Sequence, residues 1–171
     1  MQTSSEALHE EHEHLAPDIE SIRRAADLVG DATTPRALAA VDSVLDFLLH
    51  RLIPMAIAKG RTLSPALRQT KGGLERALQL QRCHVEISSL TDELSVQRAG
   101  IAEGSDLTRD QILELRRILY GIHALICAHL KEEEDAYGAA LEPGAVAATL
   151  GEMRVAEETI RTMCEPNLHG S

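Results

Sequence analysis

Glu133 follows His129 by four residues, one helical turn, so on a helix the two side chains share a face. His12 and His84 stand far away in sequence but in the same kind of place. His12 lies four residues after Leu8 and three before Leu15, His84 four after Leu80 and three before Ile87, and His129 three after Ile126. Each continues an apolar stripe with steps of three and four, so each is expected to point inward from a different helix. An ionised carboxylate is expensive in an apolar interior unless it is paired or coordinates a metal. Imidazoles and a carboxylate converging in a helical core suit one iron ion, with manganese or zinc as alternatives. The subset of two histidines and one carboxylate is a non-haem Fe(II) arrangement, with positions left open for O2, NO or an organic ligand. Taken singly, an inward histidine is more often a hydrogen-bonded core residue, and Lys131–Asp135 reads as a solvated charge run. The coincidence of four such positions is what points to a site.

The other histidines sort by the same phase. His50 sits two residues from both Leu48 and Leu52 and so faces the far side. His123 is a flank position, and His9, His14 and His169 read as solvated. Of the three cysteines, Cys83 adjoins His84 and Cys127 lies two residues before His129, which makes both, with His123, candidates for a supporting role beside the site. Cys164 is remote. The odd count and the lack of a Cys-x-x-Cys pair argue against a disulfide framework and a thiolate zinc site.

Positioning these groups requires long helices, and the chain reads as helical throughout, without sustained period-2 alternation. The spacing predicts helices over about Ser5–Val29, Pro35–Arg61, Leu74–Gln97 and Asp106–Ala140, with a break over Leu63–Gly73 and a turn at Gly72–Gly73. Pro143–Gly144 separates a short fifth helix, about Ala145–Cys164, and the tail from Glu165 to Ser171 reads as frayed. The expected fold is all-α: one domain over residues 1–171, an up-down-up-down four-helix bundle (core about 5–141) with a fifth C-terminal helix. Pro17 and Pro54 fall inside helical patterns. Either they kink their helices, or the first helix starts near Pro17 and leaves His12 just ahead of it.

Composition narrows the function classes. Hydrophobic residues make up 44% of the 171-residue chain but aromatics only 2%, and the formal charge is −10. A phosphate-binding surface or a base-stacking platform is therefore not expected, which argues against a nucleic-acid partner. No apolar run approaches the roughly 18 residues of a membrane span, and Met1–Glu13 lacks the features of a secretory signal, so a cytoplasmic location is expected.

Three segments resemble the hemerythrin-like family, the HHE cation-binding domains: Glu11–Glu20 around His12, Cys83–Leu94 around His84, and Leu119–Glu133 with His129 and Glu133. The resemblance spans about Glu10 to Leu141. It implies a four-helix bundle whose core holds two irons bridged by two carboxylates, with His12, His84, His129 and Glu133 in ligand positions. The second helix departs from the pattern. Where the family has a Pro-His-x-x-x-Glu-like segment, this chain has Pro54-Met55-Ala-Ile-Ala-Lys59, followed by Leu63-Ser64-Pro65. Met55 stands in the histidine position and Lys59 in the glutamate position. A thioether is a soft ligand, and an ammonium has no lone pair and brings positive charge where a cation would sit. An ordinary di-iron, oxygen-carrying centre is therefore not expected.

Three readings follow. One metal is held by His84, His129 and Glu133, with His12 as a fourth ligand, in a sensor, a store or an oxidase. Alternatively Lys59, which is inward by its spacing from Leu52 and Met55, pairs with Glu133 in a metal-free polar core that serves as a small-molecule binding module or an enzyme with new chemistry. In the third, Met55 and an inward histidine ligate haem. Oligomeric state is left open, as is a purely structural role in which the helices serve a partner.

Overall fold

The structure, a computed structural model, describes residues 4–141 and, beyond them, only positions 144, 148, 150, 151 and 155. Among the described residues up to 141, six α-helices carry the fold: α1 (Ser4–Asp31), α2 (Thr34–Phe47), α3 (Ile53–Thr62), α4 (Ser64–Arg68), α5 (Gly73–Ala99) and α6 (Arg109–Ala140). A π-helical turn, Leu48–Leu52, joins α2 to α3 into one long rod. Packing runs from α1 to α2, from α2 and α3 to α5, from α5 to α6 and from α6 back to α1, which closes a four-membered helical bundle. No strand occurs among the described residues. No helix among them is long and apolar enough to cross a membrane. The fifth helix expected over 145–164 lies largely outside the described residues, as do His169 and Cys164; Leu150, which is described, is buried.

The core follows the predicted stripes. Leu8, Leu15, Ile22, Leu115, Leu119 and Ile122 are fully or almost fully buried. Each such side chain contributes about 1.5–3 kcal/mol relative to exposure. In the second rod the inward position is Val44, with Leu45 only half-buried. The buried residues Val44, Leu48, Leu52 and Met55 thus take two steps of four and one of three. A wider turn accommodates consecutive steps of four.

The two helical prolines are handled differently. Pro17 lies inside α1 on its solvent face, so the helix runs through it and carries His12 with it. Pro54 sits in the first turn of α3, directly after the π-helical turn. Its missing N–H and its ring would disrupt a tight α-turn, and the widened turn relieves that conflict. The predicted break is in part helical: α4 starts with Pro65 in its first turn. Gly72 then takes the left-handed conformation (φ 73°), and a Cβ on Gly73 would meet the Leu67 carbonyl at 1.7 Å, so both positions require glycine. The start of α6 falls at Arg109 rather than Asp106, because Thr108 and Gln111 form a reciprocal capping box (3.2 and 2.9 Å).

Candidate metal centre

Four helices deliver the polar core. His12 comes from α1, Lys59 from α3, His84 from α5, and His129 and Glu133 from successive turns of α6. His12, Lys59, His129 and Glu133 are buried, and His84 has 18% of its side chain exposed. Met55, one turn before Lys59, is also buried. Sequence phase therefore placed all of them inward.

Glu133 divides its two carboxylate oxygens. Oε2 accepts from the Lys59 ammonium at 2.7 Å and lies 3.2 Å from His12 Nε2. Oε1 lies 3.6 Å from His129 Nε2 and 4.0 Å from His84 Nε2. The two imidazole nitrogens are themselves 2.8 Å apart, with their rings edge to face. His84, His129 and Glu133 thus bring three ligand atoms within 4.8 Å of one another. Two imidazoles sharing one first-row cation hold their nitrogens about 3 Å apart, given metal–nitrogen bonds of about 2.1 Å. The donor set fits one such ion.

The arrangement does not fit two metals or a haem. On the Oε2 side the Lys59 ammonium stands where a second cation would be, and Met55 supplies no imidazole. Met55 lines a cavity of about 30 Å³ between α3, α5 and α6, together with Lys59, His84, His129 and Glu133. That is the room of about one water molecule and not of a porphyrin.

His12 does not join the cluster at Oε1. Its Nδ1 lies 2.7 Å from Glu134 Oε1, and its Nε2 faces Lys59 Nζ at 3.3 Å. Glu134 also reaches the exposed His9 at 3.3 Å. The charge-run reading missed Glu134: it lies about 100° around α6 from Glu133, and only the packing of α1 against α6 turns that flank into a partner. Cys83, Cys127 and His123 make no contact with the cluster. Cys83 directs its sulfur at Glu132 Oε2 (3.9 Å), while Cys127 is exposed and faces His123 Nε2 (3.8 Å), which lies 4.0 Å from Glu20. The reason is phase: one residue before His84 and two before His129 rotate these side chains by about 100° and 200°. Burial, with Glu132 nearby for Cys83 and Glu20 for Cys127, pushes both thiols up in pKa, which does not favour thiolate reactivity. His50, as expected, is exposed and bonds Asp46 (3.0 Å).

Protonation follows from these contacts. Burial, reinforced by His129 and Lys59, lowers His84 to about 4, so its imidazole is neutral near pH 7 and free to ligate. Burial pushes the Glu133 carboxyl up, but the Lys59 charge and the bonds from His12 and His129 outweigh it and hold the group well below the usual carboxylate range. Tyr137, one turn beyond Glu133, is pushed above its ordinary value by burial and that carboxylate.

A pH dependence follows. The unfolded chain protonates His84 near 6.5, and the folded chain resists until about 4. Between those values the unfolded state binds the extra proton, so stability falls as pH drops from 6.5 towards 4, by about 3 kcal/mol for a shift of this size. The Glu133 contribution is present above the ordinary carboxylate pKa and is lost at still lower pH. Urea unfolding of chelator-treated protein across pH 4–7 should show this slope, and His84→Gln should flatten it. An equal slope in both proteins would disprove the assignment.

His129 Nδ1 is buried and finds no hydrogen-bond partner among the described residues. A ring with its N–H at Nε2 leaves only a lone pair unmet there.

No curated protein and no solved structure matches the chain significantly. A family match does exist, to the hemerythrin HHE cation binding domain, and it covers residues 3–141. That span takes in the six helices described above and every residue of the buried cluster, so the chain belongs to the hemerythrin HHE cation binding domain family.

Proposed function

We propose that this bundle binds one non-haem metal ion, iron in preference to manganese or zinc, through His84 Nε2, His129 Nε2 and Glu133 Oε1. The division of the Glu133 oxygens carries the reading: one side is closed by Lys59, and the other faces two imidazole nitrogens. Such an ion, when bound, would supply a Lewis-acidic and redox-active position with open coordination sites. The protein's own part is to hold the ligands and to limit what enters. The cavity beside them, about 30 Å³, has room for O2, NO or a comparably small ligand. Loss of the second cation position argues for sensing or one-metal redox chemistry rather than oxygen carriage.

A second reading rests on His129. Its Nδ1, without a partner among the described residues, suits a proton kept on Nε2, which the 2.8 Å contact with His84 accepts without any ion. The cluster is then a metal-free polar network. Elemental analysis with an absorption spectrum of the purified protein separates the two. About one metal per chain, lost in His129→Ala and retained in His12→Ala, supports the first. Protein that is purified without metal and takes up none from added Fe(II), Mn(II) or Zn(II) would establish the second.

A further inference from the structure

We infer that Met55 is a modification site for hydrogen peroxide. The oxidant enters the cavity between α3, α5 and α6 and converts the Met55 thioether to a sulfoxide, and the added oxygen takes up room beside His84 and His129. Met55 is the altered position that the metal reading leaves without a task, and the inference does not rest on that reading.

Met55 is only 3% exposed, yet it lines a cavity of about 30 Å³ and so is not packed on every side. That is room for a molecule of two oxygen atoms. The cavity is not sealed. Ile57, which is exposed, and Ile53, His84 and Ser88, which are half-buried, line it as well, so it reaches the surface between α3 and α5. Its walls differ in character. α3 contributes the thioether and the Ile53 side chain, whereas His84, His129 and Lys59 offer polar atoms to the O–H groups and oxygens of a peroxide. A thioether is soft and polarisable, and its oxidation needs no prior loss of a proton. The step balances within the two reactants. A sulfur lone pair forms the S–O bond, the peroxide O–O bond breaks, and the proton on the transferred oxygen goes to the departing hydroxide, so that water leaves. Sulfur is oxidised by two electrons and the peroxide is reduced by two. The product places a polar, chiral group where an apolar one stood, and methionine sulfoxide reduction reverses it.

The test is run in chelator, so that its outcome is independent of metal binding. Native protein and protein unfolded in urea are treated with hydrogen peroxide or with the bulkier tert-butyl hydroperoxide, and peptide mass spectrometry follows oxidation at Met55. From unfolded to native chain, the bulkier oxidant is expected to slow at Met55 by about tenfold more than hydrogen peroxide, because the cavity admits only the smaller one. Ser88→Leu at the mouth should slow hydrogen peroxide at Met55 by about tenfold in the native chain and leave the unfolded rate unchanged. Peroxide treatment should lower the Tm of the wild type and leave that of Met55→Leu, a volume-conserving change, where it was. Equal slowing of the two oxidants would mean that Met55 reacts only when the chain opens, and a native Met55 oxidised by neither would mean that the cavity is closed to solvent. Either result overturns the proposal, as does an equal fall in Tm in the two proteins. Should Ser88→Leu not fold, the comparison of the two oxidants on the wild type decides.

Discussion

Lys59→Met is expected to destabilise the metal-free protein by about 3–5 kcal/mol, because it leaves Glu133 as an uncompensated buried charge. Lys59 and Glu133 are each only 1% exposed, so water cannot take over the lost interaction. Glu133→Leu should do comparable damage by stranding the ammonium. The double variant Lys59→Met with Glu133→Leu removes both charges and puts apolar volume in their place. It is expected to be more stable than either single variant, since burying a charge pair gains little over a well-packed apolar pair. For a chain of this size the single losses correspond to a fall in Tm of roughly 6–20 °C. Chemical denaturation of the four proteins in chelator reads the cycle directly. Additive losses would mean that the two side chains do not meet in solution.

Lys59→Glu combined with Met55→His is expected to raise metal capacity from about one ion per chain to two. Both positions are buried on the inner face of α3 and line the same cavity as Glu133. The substitutions would supply a second imidazole and a second carboxylate on the Oε2 side, where His12 already presents a nitrogen. The same variant should depend on metal to fold. Without ions it would bury two carboxylates with no cation between them, and like charges in that position oppose ionisation and stability. Elemental analysis after reconstitution, with circular dichroism before and after chelation, tests both halves. A variant that stays folded in chelator and binds no more metal than the parent would show that the Oε2 side is not a cation position at all.

Helical phase made much of this legible. His12, His129 and Glu133 each continue an apolar stripe by a step of three or four, and their inward direction followed from that arithmetic. The pairing of Lys59 with Glu133 was legible only as one of three readings, because phase shows that both point inward and not whether a metal also takes the carboxylate. What phase could not show is which atom meets which. Whether His12 serves Oε1 or Oε2 depends on where α1 sits against α6, and that is set by side-chain packing along both helices. Glu134 was hidden for the same reason: within Lys131–Asp135 it looks like any solvated acid, and only the approach of α1 gives it His12. The π-helical turn was invisible because Pro54 in a helical pattern is equally compatible with a kink, a break or a widened turn. Cys83 and Cys127 stand close to ligands in sequence, yet one or two residues of offset on a helix is enough to send a side chain elsewhere.

Because Lys59 belongs to the chain, the positive charge beside Glu133 Oε2 has no dissociation constant. It is delivered at folding, at an effective concentration that no dissolved ion approaches, and neither dilution nor chelation removes it. A bundle whose charge balance came wholly from solution would be made and destroyed by the supply of that ion. In this one the carboxylate is already balanced before anything arrives at Oε1. The helices can therefore stand assembled and empty, and gain or lose an occupant without the fold being at stake. Such a site can report on the presence of its ligand instead of merely depending on it.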